Sequence, residues 1–443
     1  MKKVKFQTLG CKVNQYETQG MREKLSKAGF VETQNDTDAD LFVLNTCTVT
    51  GEADKKNQYL IRRMHRKNPN TKIIVTGCYA ERNVDEIVKL EGVSEVLRQN
   101  EKDLITEKAL LQFDIDDSDF SLCRGQEEDA SHGRNRLTDF SISEFDGHAR
   151  AFIKVQDGCT HACSFCKVVL VRGKSRSRTI NDVVDEVKRV VDAGFKETVL
   201  TGIQLGAYGQ DLDNKKWLSD LVSELLKVNG LDRLRLSSIE PTDVSSDLIQ
   251  IMSETNRLCP HLHIPLQSGD EEVLKRMKRR YPPQFYKDLV LSIQEKIDFF
   301  ALTCDVMTGF PGETEQQFQN TINLLAELKP LKIHAFPYSS REGTVASRYE
   351  DHLPSEEIHS RNRRLIKEGK LWQSQFLSSY LGKRFPVLVE EEVFGDDGKR
   401  CLRGRTSNYI LTEFDGSKDK VGNIIWVELE KNNGDRIWAK ESI

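Results

Sequence analysis

The chain has 443 residues with 38% hydrophobic and 30% charged content, which predicts about three domains at roughly 100–200 residues each and an ordinary globular protein. No apolar run approaches the roughly 20 residues of a membrane span, and Met1-Lys2-Lys3-Val4-Lys5-Phe6-Gln7 is charged where a secretory signal would be apolar, so a cytoplasmic protein with no membrane partner is expected. The net charge of −4 gives no sign of nucleic-acid binding, whereas ten cysteines at patterned spacings in a reducing compartment point to metal ligation or catalysis rather than disulfides.

The first third repeats one unit. Val4–Leu9, Leu41–Asn45 and Ile73–Thr76 read as strands, and they run into Gly10-Cys11, Thr46-Cys47 and Gly77-Cys78. Helical patterns over Asn14–Ala28 and Glu52–Arg66 separate them. Alternating strand and helix predict a parallel sheet, whose site forms at the carboxyl ends of the strands. Cys11, Cys47 and Cys78 fall there, 36 and 31 residues apart, about one strand-plus-helix unit each. The competing reading is three buried, inert thiols, as single buried cysteines usually are.

Residues 113–144 include Asp114-Ile115-Asp116-Asp117-Ser118-Asp119 and Gln126-Glu127-Glu128-Asp129 and read as an acidic linker after a first domain over 1–112. A second domain follows over 145–375. Its predicted strands are Ala151–Val155, Glu197–Thr201, Arg233–Ser237, His261–Ile264, Leu302–Met307 and Lys332–Phe336. Helices are expected over Asn181–Ala193, Ser245–Glu254 and Thr314–Leu328, with a closing helix over Ser355–Tyr380. Six such units fit an open, partial version of the eight-stranded α/β barrel. In the last domain, 378–443, the period shortens. Arg384–Glu391, Lys399–Thr406, Tyr409–Phe414, Asn423–Glu430 and Arg436–Lys440 read as five antiparallel strands of a small barrel of a kind that often binds oligonucleotides, with Asn433-Gly434 as a hairpin turn. The fold class expected is therefore α/β, with a small all-β barrel at the end.

Cys159-Thr160-His161-Ala162-Cys163-Ser164-Phe165-Cys166 is the sharpest signal in the chain. It directly follows the first strand of the second domain. Three thiolates at this spacing can hold three irons of a [4Fe-4S] cluster and leave the fourth open for a ligand. The alternative is zinc with His161 as fourth ligand, but structural zinc usually pairs two short hooks and one is present.

At these residues the sequence resembles the radical S-adenosylmethionine enzymes, with Phe165 in the aromatic place before the last cysteine. In that family the open iron takes the amino and carboxylate groups of S-adenosylmethionine, and one-electron cleavage of its sulfonium gives a radical that abstracts hydrogen. Gly10-Cys11-Lys12-Val13-Asn14, Asn45-Thr46-Cys47-Thr48-Val49 and Thr76-Gly77-Cys78-Tyr79-Ala80 resemble the methylthiotransferases within it. So do Thr201-Gly202-Ile203-Gln204, Ser237-Ser238-Ile239-Glu240-Pro241, His261-Leu262-His263-Ile264-Pro265-Leu266-Gln267-Ser268-Gly269 and Gly309-Phe310-Pro311-Gly312-Glu313-Thr314. The likeness covers nearly the whole chain apart from the linker. It implies an N-terminal cluster domain, a radical core and a TRAM-like RNA-binding barrel, and a second [4Fe-4S] cluster on Cys11, Cys47 and Cys78 that carries the sulfur to be transferred. One departure stands out: the family's proline and aromatic after the last cysteine are replaced here by Lys167-Val168-Val169-Leu170-Val171.

By the same resemblance Gln204, Ser238, Glu240, His263 and Gln267 face S-adenosylmethionine or substrate. Strand capping is the alternative for each. Arg172, Lys174, Arg176 and Arg178 form a basic run after the cluster loop that suits RNA phosphates, with pairing to the cofactor's carboxylate or simple solvation as alternatives. Lys275, Arg276, Lys278, Arg279 and Arg280 form a second basic patch, for which a solvated helix end is the strong alternative, and Cys123, Cys259, Cys304 and Cys401 read as structural. Three branches of the family are candidates: isopentenyladenosine in tRNA, a ribosomal-protein aspartate, and N6-threonylcarbamoyladenosine at position 37 of tRNA. Leu9-Gly10-Cys11-Lys12-Val13-Asn14-Gln15-Tyr16-Glu17-Thr18 is most similar to the third. The partners implied are tRNA, a flavodoxin- or ferredoxin-like electron donor and a sulfur source. A non-catalytic RNA-binding protein would have no need of an open iron, and a radical methyltransferase would have no need of the N-terminal cysteines.

Overall fold

A computed structural model describes residues 1–113, 140–145, 147–395 and 398–442. Most of the expected linker, with Cys123, lies outside them. The chain divides into two compact units. The first comprises Met1–Glu144, Asp157–His161 and Cys166–Arg178, and the second Phe145–Gln156, Ala162–Phe165 and Thr179–Ile443. The division passes through the CxxxCxxC loop, so Cys159 and Cys166 belong to the first unit and Cys163 to the second.

The first unit is built on a parallel sheet of β1 (Lys3–Thr8), β2 (Val31–Glu32), β3 (Leu41–Thr46), β4 (Lys72–Gly77) and β5 (Val93–Val96), in the order β2-β1-β3-β4-β5. Every residue of β3 is buried, as expected of a central strand covered on both faces. Helices Lys12–Lys27 and Gly51–Lys67 make the crossovers. Thr50 caps the second by accepting from the Ala53 N–H, with Glu52 and Asp54 in its first turn. Phe42, Leu44, Ile61, Ile73 and Val75 form its core. The short strands β2 and β5 are additions to the sequence reading. Both lie at the edges of the sheet and are only partly buried, so they carry no run of apolar residues.

In the second unit the six expected strands are β6 (Arg150–Lys154), β7 (Glu197–Thr201), β8 (Arg233–Leu236), β9 (His261–His263), β10 (Ala301–Thr308) and β11 (Lys332–Pro337). They form two three-stranded parallel sheets, β8-β7-β6 and β9-β10-β11. Isolated parallel bridges, Leu234↔Leu258 and Ser238↔His263, continue the pairing from one sheet to the other. Helix Glu315–Leu328 starts at a capping box made by Thr314 and Gln317. Helix Ser355–Ser378 follows the last strand.

The final strands are β12 (Arg384–Phe394), β13 (Arg400–Thr406), β14 (Leu411–Phe414), β15 (Ile424–Asn432) and β16 (Ile437–Glu441), closed in the order β12-β13-β14-β16-β15. The expectation of an antiparallel barrel needs one correction: β14 and β16 pair in parallel. A hairpin forces antiparallel pairing, but β15 intervenes between these two strands in the chain, so their directions are free to agree. The barrel packs against the beginnings of the parallel strands. Arg233 donates to the Pro386 and Arg405 carbonyls, Arg235 to those of Thr406 and Ser407, and Arg150 pairs with Glu390. Glu197 lies among these arginines, 2.7 Å from Arg235 Nε. Burial pushes its carboxyl up, but the three guanidinium groups overcome this and hold it at about 2.

Candidate functional site

In the first unit Cys47 and Cys78 directly follow β3 and β4, and Cys11 follows β1 after Leu9 and Gly10, so parallel pairing brings the three strand ends side by side. Two glycines make the approach possible. Gly10 has φ +99°, and a Cβ on it would lie 2.9 Å from the Cys47 sulfur. Gly77 has φ +100°, and a Cβ there would run into the Thr46 carbonyl. Both need glycine for conformation and for space. Cys11 is exposed, while Cys47 and Cys78 are buried. Burial pushes the Cys47 thiol up to about 11. It becomes a thiolate readily only when a metal ion supplies the compensating charge.

Around these cysteines lies a buried charged network. The Arg172 guanidinium donates to Glu17 Oε1 (3.0 Å), Asp157 Oδ1 (2.9 Å), Asn14 Oδ1 (2.5 Å) and Cys78 Sγ (3.3 Å). Lys102, fully buried, pairs with Glu17. Gln99 Nε2 also donates to Cys78 Sγ, at 3.3 Å. Asn14 ties the strand ends together by donating to the Leu9 and Thr46 carbonyls, and Asn57 holds the Cys47 carbonyl. Of these residues, Glu17 and Asn14 lie in the quoted family segments without an assigned role, and Gln99, Lys102 and Asp157 were missed. Nothing in a sequence marks a lysine as buried.

The basic run is corrected at its first member. Arg172 does not present a cation to RNA, because it is buried and its donors are engaged inside the unit. It ends the short helix Val168–Arg172, which the atypical Lys167–Val171 stretch builds, and Gly173 (φ +71°) terminates that helix. Lys174 is exposed. Arg176 is half-buried and donates to the Arg172 carbonyl, and Arg178 donates to the Tyr16 hydroxyl. Lys174 and Arg176 line a cleft of about 620 Å³ with Arg98, Gln99, Glu81 and Glu101.

The CxxxCxxC loop is shaped by its own backbone. The His161 N–H donates to Cys159 Sγ (3.3 Å), and the Val168 N–H to Cys166 Sγ (3.4 Å). In the second unit, burial pushes the Cys163 thiol up while Arg279 and Arg280 pull against it. The Arg279 side chain is enclosed rather than solvated, with 5% of it exposed. It donates to Glu240 (2.5 Å), lies over the Phe165 ring, and its Nε has no partner. Its place in a basic patch concealed these contacts with Glu240 and Phe165.

The five candidate cofactor residues all follow or end parallel strands. The Gln204 N–H donates to Gln156 Oε1, and its side chain reaches Asp243. Ser238 and His263 are bridge partners. His263 lies 3.0 Å from the Thr303 hydroxyl and 3.2 Å from Asp305. Burial pushes the Asp305 carboxyl up, but the bond from His263 holds it below the usual range. Gln267 has φ +67°, a conformation a non-glycine residue holds only at a cost. Its buried Oε1 has no partner. A ligand that brings donors would satisfy it. The Gly309–Thr314 segment is a tight turn, in which Glu313 accepts from the Gly309 N–H and from Arg361. Cys259, Cys304 and Cys401 are buried.

Residues 3–98 match the Uncharacterized protein family UPF0004, and residues 153–325 match the Radical SAM superfamily. The threonylcarbamoyladenosine tRNA methylthiotransferase MtaB of Bacillus subtilis is 37% identical over 438 residues, 97% of this chain and 94% of that one. This chain belongs to the radical S-adenosylmethionine methylthiotransferases. Other members include the Thermotoga maritima MtaB, 36% identical over 94% of this chain and 92% of its own length. The tRNA-2-methylthio-N(6)-dimethylallyladenosine synthase of Clostridium botulinum is 32% identical over 98% of this chain and 96% of its own. Among solved structures, the radical S-adenosylmethionine methyltransferase TsrM from Kitasatospora setae superposes with a TM-score of 0.53 over 76% of this chain and 75% of that one, at 14% identity, which is a likeness of fold.

The residues of this methylthiotransferase suit the clusters the family implies. Among the described residues no three His, Cys, Asp or Glu side chains converge on a single-ion site. A four-iron cluster asks for something else, one thiolate on each of several irons. The glycine-cleared approach of Gly10 to Cys47 and the N–H donors on Cys78, Cys159 and Cys166 are what such ligands need. Among the described residues no helix is long and apolar enough to cross a membrane.

Proposed function

We infer that this methylthiotransferase converts N6-threonylcarbamoyladenosine at position 37 of tRNA to its 2-methylthio derivative. The observation that carries this reading is the near full-length identity, 37%, to an enzyme named for that substrate, in a chain that retains both cysteine sets. The 32% identity to dimethylallyladenosine synthases keeps isopentenyladenosine as the second reading.

The chain is organised as an N-terminal cluster domain over 1–112, a linker over 113–144, a partial six-stranded radical barrel over 145–375 and a TRAM-like barrel over 378–443. Cys159, Cys163 and Cys166 hold one [4Fe-4S] cluster, and Cys11, Cys47 and Cys78 hold a second. The first cluster with S-adenosylmethionine supplies the one-electron chemistry that activates an unreactive C–H bond, and the protein's part is to position and to exclude water. Gln204, Ser238, Glu240, His263 and Gln267 bind S-adenosylmethionine, with Gln267 Oε1 accepting one of its donors. Arg279 orients Glu240 for that task. The N-terminal cysteines hold the group that carries the transferred sulfur. Lys174, Arg176 and Arg178, with the C-terminal barrel, contact tRNA phosphates. A cytoplasmic sulfur source and a flavodoxin- or ferredoxin-like donor complete the cycle.

Mass spectrometry of tRNA nucleosides from cells lacking the protein tests this. Loss of the 2-methylthio form of threonylcarbamoyladenosine alone is expected. Loss of 2-methylthio-isopentenyladenosine instead overturns the substrate.

A further inference from the structure

We propose that Arg172 and Gln99 are positioning residues for the N-terminal cluster, placing two N–H donors on the Cys78 sulfur and thereby raising the reduction potential of the cluster it ligates. The proposal rests on the reading that Cys78 is a cluster ligand.

Three observations carry it. First, two side chains from distant parts of the sequence converge on one sulfur, each at 3.3 Å. Cys11 and Cys47 are reached by the backbone N–H groups of Asn14 and Val49. Second, the surrounding charges balance without the sulfur. Arg172 and Lys102 face Glu17 and Asp157, and the remaining Arg172 donor, Nε, is given to Cys78 rather than to a carboxylate. Burying four charges is an inefficient way to stabilise a fold, since apolar residues of the same volume usually do as well or better. A network kept in that form around a metal ligand points to control of the ligand. Third, each donor is fixed by its neighbours. The Gln99 backbone N–H donates to Glu81, and Lys102 extends from the same short turn to Glu17.

The physical effect follows from the charge change. Reduction adds an electron, much of whose density falls on the sulfurs. N–H groups aimed at a thiolate stabilise that extra charge, so the reduced state is favoured and the potential rises. Arg172 lies six residues beyond Cys166. The segment that supplies a ligand to the radical cluster therefore also supplies a donor to the N-terminal one, and disturbing that segment should alter both.

The test uses the full chain with Cys159, Cys163 and Cys166 all replaced by alanine, reconstituted anaerobically so that the N-terminal cluster stands alone. Its midpoint potential is read by titration followed by electron paramagnetic resonance, alongside iron content. Gln99→Leu removes one donor without touching a buried charge. Arg172→Lys keeps the charge but loses the Nε geometry, and Arg172→Met loses both. The expected result is a shift to more negative potential in every variant, largest for Arg172→Met, at unchanged iron content. The first two variants decide the matter even where Arg172→Met does not fold. Unchanged potentials in Gln99→Leu and Arg172→Lys, with iron intact, overturn the proposal alone. A parent that binds no iron overturns the ligand reading of Cys78, and the proposal with it.

Discussion

Two arginines with buried side chains stand near the cysteines of the two units, and they are held in opposite ways. Arg172 in the first unit is enclosed by Glu17, Asp157, Asn14 and Cys78. Arg279 in the second has one carboxylate, Glu240, a ring beneath it and an unpartnered Nε. A closed network holds one arrangement and resists change. An open one leaves donors and acceptors for an incoming molecule, as Gln267 Oε1 does in the same unit. The contrast agrees with the proposed roles, a permanent group at the first site and an exchanging one at the second.

The contrast breaks most visibly at the cysteines. Cys159→Ala should abolish formation of 5′-deoxyadenosine from S-adenosylmethionine, whereas Cys47→Ala should retain cleavage and lose sulfur insertion completely, as read on modified tRNA. A Cys47→Ala enzyme that still thiolates would remove the N-terminal site from the chemistry. Next in size is Arg172→Met. It removes the cation that Glu17 and Asp157 share and should cost about 3–5 kcal/mol in denaturant unfolding of the iron-free protein. An equal loss in Arg279→Met would erase the distinction between closed and open.

Glu197 supplies a closed network in the second unit and a pH test. Its carboxyl is held at about 2 against an ordinary 4.5. The ionised form is therefore favoured by folding. Its contribution, about 3 kcal/mol, is present above pH 4.5 and lost as pH falls toward 2. Acid titration of unfolding free energy should show that decline, and Glu197→Gln should flatten it. The smallest effect is expected at Arg279→Gln, which removes the charge orienting Glu240. Equilibrium dialysis should show S-adenosylmethionine binding about tenfold weaker with stability retained, the scale of one hydrogen bond to a charged group. Unchanged binding would place Arg279 outside the cofactor site.

How much of this was legible in the sequence differed from feature to feature. The CxxxCxxC set is local and readable by spacing. The Cys11, Cys47 and Cys78 set needed a fold argument, that successive parallel strands end side by side, and the sheet order β1-β3-β4 supplies it. The charged residues were misread because sequence carries no burial. Lys102 looks like any surface lysine. Arg172 shares a period-two basic run with Lys174, Arg176 and Arg178, which as a run suits RNA phosphates. The overlooked signal was Gly173, whose left-handed backbone ends a helix after Arg172 and separates it from the rest. Arg279 was likewise hidden among exposed neighbours. The parallel β14–β16 pairing was hidden because strand order in a closed barrel is set by tertiary contacts, not by chain order.

Each cysteine set, on the reading proposed, holds its own four-iron cluster. Iron counting after anaerobic reconstitution tests it most directly. The full chain should bind about eight irons, and replacing either Cys11, Cys47 and Cys78 or Cys159, Cys163 and Cys166 with alanine should leave about four. About four irons in the unaltered chain, or zinc in their place, would contradict it.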